Sequence, residues 1–222
     1  MDFFDLLNAL TSLNTVQRIS VSAIPMIFAI TVHEAAHGYT ARHFGDMTAQ
    51  QQGRISLNPL KHIDPIGTVL IPCITMLVGG IFFGWAKPVP VNFGNLHHPK
   101  RDMLWVAAAG PGANLAMAFL WIMVIKIAVT LSSGFAVPLA LMGAAGILTN
   151  VVLMVLNLIP LPPLDGGRIA VSLLPHDLAV KYAQVERYGF IILIILLFTH
   201  ILDKIMWPFV MAILTTIAKI FF

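Results

Sequence analysis

Residues 19–41 read ISVSAIPMIFAITVHEAAHGYTA, and this stretch decides what kind of molecule the chain is. From Ile19 to Ile30 only Ser20 and Ser22 are hydroxylated among apolar residues. Continued to Ala41, the run is long enough to cross the ~30 Å hydrocarbon core of a bilayer, which takes about 20 helical residues. Its last third nevertheless carries His33, Glu34 and His37. The rest of the 222-residue chain has the same character, with 58% hydrophobic and 10% charged residues and a mean hydropathy of +0.87. A water-soluble domain typically carries about 25% charged residues, so a soluble globular protein is excluded. Abundant Leu, Ile and Val exclude a disordered chain, and the single Cys73 excludes a disulfide scaffold. The basic residues are few and scattered, so the net charge of +3 points to orientation in a lipid bilayer and not to nucleic acid.

Working outward, the sequence predicts an all-α polytopic membrane protein of about five to six transmembrane or re-entrant helices. Residues 1–18 read as a short amphipathic or frayed leader. Further spans are expected at 103–131, 137–159, 187–202 and 205–222. Residues 66–83 are apolar but broken by Gly67, Pro72, Gly79 and Gly80, which suggests a re-entrant segment. In Gly84–Asn92, Pro88 and Pro90 forbid helix and Val89 and Val91 favour extended chain, so a small extended or β segment is expected near 84–92. With no repeat, the chain reads as one membrane-embedded domain over 1–222, with a core at 19–168 and a C-terminal helical hairpin at 187–222.

If 66–83 returns to the side it left, the loops 42–102 and 160–187 share one face. That face then holds Arg42, Arg54, Lys61, Lys87, Lys100, Arg101, Arg168, Lys181 and Arg187, nine of the 13 basic residues. By the positive-inside tendency it is cytoplasmic. The expectation is a multi-pass protein of the cell membrane with its ionisable cluster nearer the cytoplasmic side.

The chemistry concentrates in His33-Glu34-Ala35-Ala36-His37. Residues four apart on a helix share a face, so both imidazoles can grip one ion, while Glu34 lies about 100° round and can reach a water on that ion. Zinc suits such ligands, acidifies its water and polarises carbonyls. A catalytic zinc site usually has three protein ligands. The candidate third is Asp165, at a helix end broken by Pro160, Pro162 and Pro163. The same residue could equally serve as a turn residue before Gly166-Gly167. On these residues alone Asn157 reads as a helix-end cap, and Asn114 as a hydrogen-bonding partner across a helix pair. His62, His97, His98 and His176 fall in polar loops and are expected to be solvated. His200 falls in an apolar span and reads as an interhelical hydrogen-bonder.

In order and spacing, His33-Glu34-x-x-His37, Ala109-Gly110-Pro111-x-x-Asn114 and Asn157-x-x-Pro160 leading to Leu164-Asp165-Gly166-Gly167-Arg168 resemble the site-2 proteases, intramembrane zinc metallopeptidases. The resemblance runs from about Ile19 to Arg168. Asn58–Gly67 with Gly84–Pro88 resembles a compact prokaryotic branch without a peptide-binding or regulatory domain. The resemblance implies that His33, His37 and Asp165 bind one Zn2+ per chain. It further implies that Glu34 is the general base toward a metal-bound water, that Asn157 is a polar partner in the site, and that the substrate is a membrane-spanning protein. The alternative reading is a non-proteolytic membrane protein, a divalent-metal carrier or scaffold that retains the ligand set.

Overall fold

The computed structural model describes residues 2–70, 86–132 and 134–222. Within them lie nine α-helices. These are α1 (Phe3–Ser12), α2 (Thr15–His43), α3 (Thr48–Gln51), α4 (Pro99–Thr130), α5 (Ala136–Asn157), α6 (Asp165–Leu173), α7 (His176–Ala183), α8 (Glu186–Phe198) and α9 (Ile201–Phe221). The first two helices show how the chain starts them locally, with Asp2 accepting the Phe4 N–H at the head of α1. Of the two readings of the leader, the amphipathic one describes α1: Phe3, Leu6 and Leu10 bury one face of it against the core. Asn14 then starts α2 with a capping box, accepting the Gln17 N–H at 2.9 Å while Gln17 Oε1 accepts the Asn14 N–H at 3.2 Å.

Four helices, α2, α4, α5 and α9, are long and apolar enough to cross a membrane. Against the expected five to six transmembrane or re-entrant helices, four of membrane-spanning length lie among the described residues. The proposed span at 187–202 is corrected. Its helix, α8, has 13 residues and reaches only about 20 Å, because Thr199 and the left-handed His200 (φ 56°) break the apolar run. His200 is corrected with it, since it pairs with Asp203 three residues on at 3.1 Å, at the start of its own helix. The interval 66–83 lies mostly outside the described residues, although Pro65–Leu70 forms a π-helical stretch. Its flanks are fixed, because the Lys87 N–H donates to the His62 carbonyl at 2.9 Å.

Side-chain contacts set the helix directions. On α2 and α4, His37 meets Val106 and Ala29 meets Asn114, so the two run antiparallel. On α4 and α5, Asn114 meets Asn150 while Trp121 meets Gly146 and Ile125 meets Gly143, which is antiparallel again. The C-terminal end of α2, the N-terminal end of α4 and the C-terminal end of α5 therefore lie at one end of the bundle. Helix α5 is central, with 61% of its spanning window buried against 28–33% for the other three. Lipid gives little hydrophobic drive for helix association, so close approach at small residues does the packing. Gly143, Gly146, Ala140, Ala144 and Ala145 supply it on α5.

Residues 86–92 form no β-ladder, and there is no strand among the described residues. Pro88 and Pro90 have no N–H to give, and the N–H groups of Lys87, Val89 and Asn92 are taken by His62, Glu34 and Asp46. The part of the proposed segment before Ala86 lies outside the described residues.

Candidate metal centre

His33 and His37 project from the same face of α2, about 15 and 9 Å along the helix from its last residue, His43. Both are buried, and each ring is held from behind. His37 Nδ1 lies 2.7 Å from the Val106 carbonyl, which can only accept, so the proton is on Nδ1. His33 Nδ1 lies 2.6 Å from Asn114 Oδ1. Both Nε2 atoms are thereby left as lone pairs, 3.1 Å apart.

Asp165 completes the group. Its placement comes from the residues that follow it: a Cβ on Gly166 would strike the carbonyls of Leu158 and Ile159, and one on Gly167 the backbone of Leu161 and Pro162. Only glycine lets the loop after α5 fold so tightly over the first turn of α6 and bring Asp165 back under the bundle. Asp165 Oδ2 is buried, 3.2 Å from His33 Nε2 and 3.3 Å from His37 Nε2. With both Nδ1 atoms as the hydrogen-bond donors, two ring nitrogens and a carboxylate oxygen converge as three electron-pair donors, a set that suits a cation. Ligands about 2.0–2.1 Å from a tetrahedral zinc stand about 3.3–3.4 Å from each other, so the observed 3.1, 3.2 and 3.3 Å match three corners of such a site. Gly110 of α4 lies directly against the Nε2 edges of both rings. A Cβ there would stand 2.5 Å from both His33 Cε1 and His37 Nε2.

Glu34, half-buried, turns to the extended segment, where its Oε2 accepts the Val89 N–H at 2.9 Å. That segment is clamped at both ends. Arg54 Nη2 donates to the carbonyls of Lys87 at 2.7 Å and Pro88 at 3.3 Å. Asp46 accepts the Asn92 N–H at 2.6 Å, the Asn95 amide at 3.2 Å and the Thr48 N–H and hydroxyl at 3.0 and 2.5 Å. Desolvation acts to raise the Asp46 carboxyl, but these hydrogen bonds outweigh it and hold it below the usual carboxylate range. Gly38 gives Val89 and Ile55 room to lie on α2. His62, expected in solvent, is buried instead, because the turn at 56–62 folds back and its Nε2 bonds the Ser56 carbonyl at 2.8 Å.

The structure therefore brings together His33, His37 and Asp165, with Glu34 beside them. Asn157 ends α5 with its Nδ2 on the Leu153 carbonyl at 2.9 Å, bonded to its own helix and to none of those four. Asn114 does bridge helices, to Ala29 and Asn150, and also bonds His33. Asn150, Asp46 and Arg54 were not singled out by the sequence. For Asn150 the signal was present as an amide well inside the most apolar span.

Among proteins of known sequence, the chain is 41% identical over 202 residues to "Putative zinc metalloprotease YwhC" of Bacillus subtilis, covering 89% of each chain. It is 31% identical to "Putative zinc metalloprotease Rip2" of Mycolicibacterium smegmatis, over 80% of this chain and 66% of that one. It is 26% identical to the protein of the same name from Mycobacterium tuberculosis, over 77% and 63%. No family profile matches the chain. No solved structure matches it.

Proposed function

The chain belongs to the site-2 protease family of zinc metalloproteases, and we propose that it hydrolyses peptide bonds of membrane-spanning proteins within the bilayer. The observation that carries this reading is the cluster of three lone-pair atoms on His33, His37 and Asp165, set beside a carboxylate that is tethered to an extended segment. The donor set fits one zinc ion per chain, which when bound supplies a Lewis acid that acidifies water and polarises a peptide carbonyl.

This chain's own residues do the rest. Val89 holds Oε2 of Glu34, so Oε1 is free to take the proton of the attacking water and pass it to the leaving amine. Asn157 keeps one N–H on Leu153 and has a second to offer the developing oxyanion. A peptide bond in a helix is shielded and has to be unwound before hydrolysis. Residues 86–92 offer an edge for the unwound strand, since the carbonyls of Val89 and Pro90 and the N–H of Val91 have no partner among the described residues. The end of the bundle nearer the site faces the cytoplasm of a multi-pass cell-membrane protein in this reading. Its support is the nine basic residues and the bond from Lys100 to the Leu174 carbonyl, which draws both basic loops to one end.

The test is cleavage of a panel of single-span proteins by purified protein, side by side with its Glu34→Gln form at matched zinc content. Cleavage by the wild type alone is expected. Cleavage by Glu34→Gln at a comparable rate rules out Glu34 as the base.

A further inference from the structure

His33 can bind a metal through Nε2 only while its proton sits on Nδ1. Asn114 Oδ1, at 2.6 Å, accepts that proton. An amide can turn either end to a neighbour, however. With its NH2 toward His33 it would favour the other tautomer, in which Nε2 carries a proton and cannot be a ligand. The orientation of Asn114 is therefore a condition of metal binding.

Two acceptors set that orientation. Asn114 Nδ2 donates to the Ala29 carbonyl at 3.3 Å and to Asn150 Oδ1 at 3.0 Å. Asn150 is oriented in turn, because its Nδ2 donates to the Gly146 carbonyl at 2.8 Å. A backbone carbonyl can only accept, so Asn150 has to face Gly146 with its nitrogen and Asn114 with its oxygen. Asn114 has then to face Asn150 with its nitrogen and His33 with its oxygen. The polar chain runs in one direction from His33 to the backbone of α5, and both asparagines are fully buried. A turned amide there would set buried donors against donors.

We propose that Asn150 is a positioning residue of the metal centre, which acts from the central helix, through Asn114, on the tautomer and aim of His33. It contacts none of the three proposed ligands and lies on a helix that provides none of them. The inference rests on the reading of His33 as a ligand, and His33→Ala tests that reading separately.

The experiment measures zinc affinity of the purified full chain by competition with a chromophoric chelator, independently of proteolysis. Asn150→Leu removes the acceptor and is expected to weaken zinc binding ~10–100-fold, the usual loss when an outer partner of a metal-binding histidine is removed. Asn150→Asp keeps an acceptor for Asn114, and as a neutral acid can still donate to Gly146. It is expected to hold zinc within about threefold of wild type, whereas a purely structural role would make the buried acid the worse substitution. In an Asn114→Leu background, Asn150→Leu is expected to cost nothing further, because the two act in series. Asn150→Ala gives the same reading if the leucine form does not fold. Wild-type affinity in Asn150→Leu or Asn150→Ala, or an undiminished penalty in the Asn114→Leu background, overturns the proposal. Wild-type affinity in His33→Ala overturns the ligand reading instead.

Discussion

Replacing Gly110 by alanine adds one carbon at the most crowded point of the metal centre. The new Cβ would lie 2.5 Å from His33 Cε1, 2.5 Å from His37 Nε2 and 2.6 Å from His33 Nε2, where ordinary contact begins at 3.4 Å. Roughly 0.9 Å of overlap has to be relieved against both rings. Neither ring can retreat freely, because His33 is held at Nδ1 by Asn114 and His37 by the Val106 carbonyl. A metal site tolerates ligand displacements of only about 0.2 Å, so the expected loss of zinc affinity is at least ~100-fold, or about 2.8 kcal/mol. Helix propensity acts the other way, favouring alanine over glycine by up to ~1 kcal/mol, so general helix weakening cannot be the cause. Gly112, two residues along the same helix, has nothing within 4 Å of its would-be Cβ. Gly112→Ala is therefore the matched control, expected to leave zinc affinity unchanged and the fold as stable or slightly more so. Zinc per chain after dialysis against graded chelator, with thermal unfolding measured on the same samples, separates the two variants. If Gly110→Ala holds zinc within threefold of wild type, the close approach of α4 to the histidines is wrong.

Two further outcomes bear on the loop end of the bundle. The Asp46 carboxyl is held below its usual range, so its contribution to stability is complete above the unfolded value of about 3.9 and lost as pH falls through the folded one. The difference in unfolding midpoint between wild type and Asp46→Asn should be wide near neutral pH and close in acid, and a difference independent of pH refutes the anchoring of residues 92–95. In a Cys73→Ala background, single cysteines at Gln51, Asn95 and Asp177 should resist an impermeant thiol reagent outside intact cells, while one at Ser132 reacts. Labelling of Asn95 but not Gln51 contradicts the contact between Asp46 and Asn95, 3.2 Å apart.

The composition of this chain and the five residues from His33 to His37 were enough to read a helical membrane protein with two histidines on one helix face. Both signals are local: hydropathy is summed over neighbours, and helical periodicity places residues four apart on one face whatever surrounds them. The same logic misjudged 187–202, because summed hydropathy passes over a single left-handed residue that stops a helix. It also placed His62 in solvent, because a polar loop gives no sign of folding back on itself. Asp165 stood in the sequence as either a ligand or a turn residue, and only packing decides which geometry it has. The glycines after it let the loop close over α6 and bring its carboxylate within 3.3 Å of both imidazoles. Tertiary structure alone joins Glu34 to Val89, 55 residues away, His33 to Asn114, 81 away, and Asn114 to Asn150, 36 away. Each is a single hydrogen bond between helices or loops, so its trace in the sequence is one polar residue with no spacing rule. Which partner that residue meets is fixed by the antiparallel register of α2, α4 and α5, and that register is set by where small side chains let backbones approach.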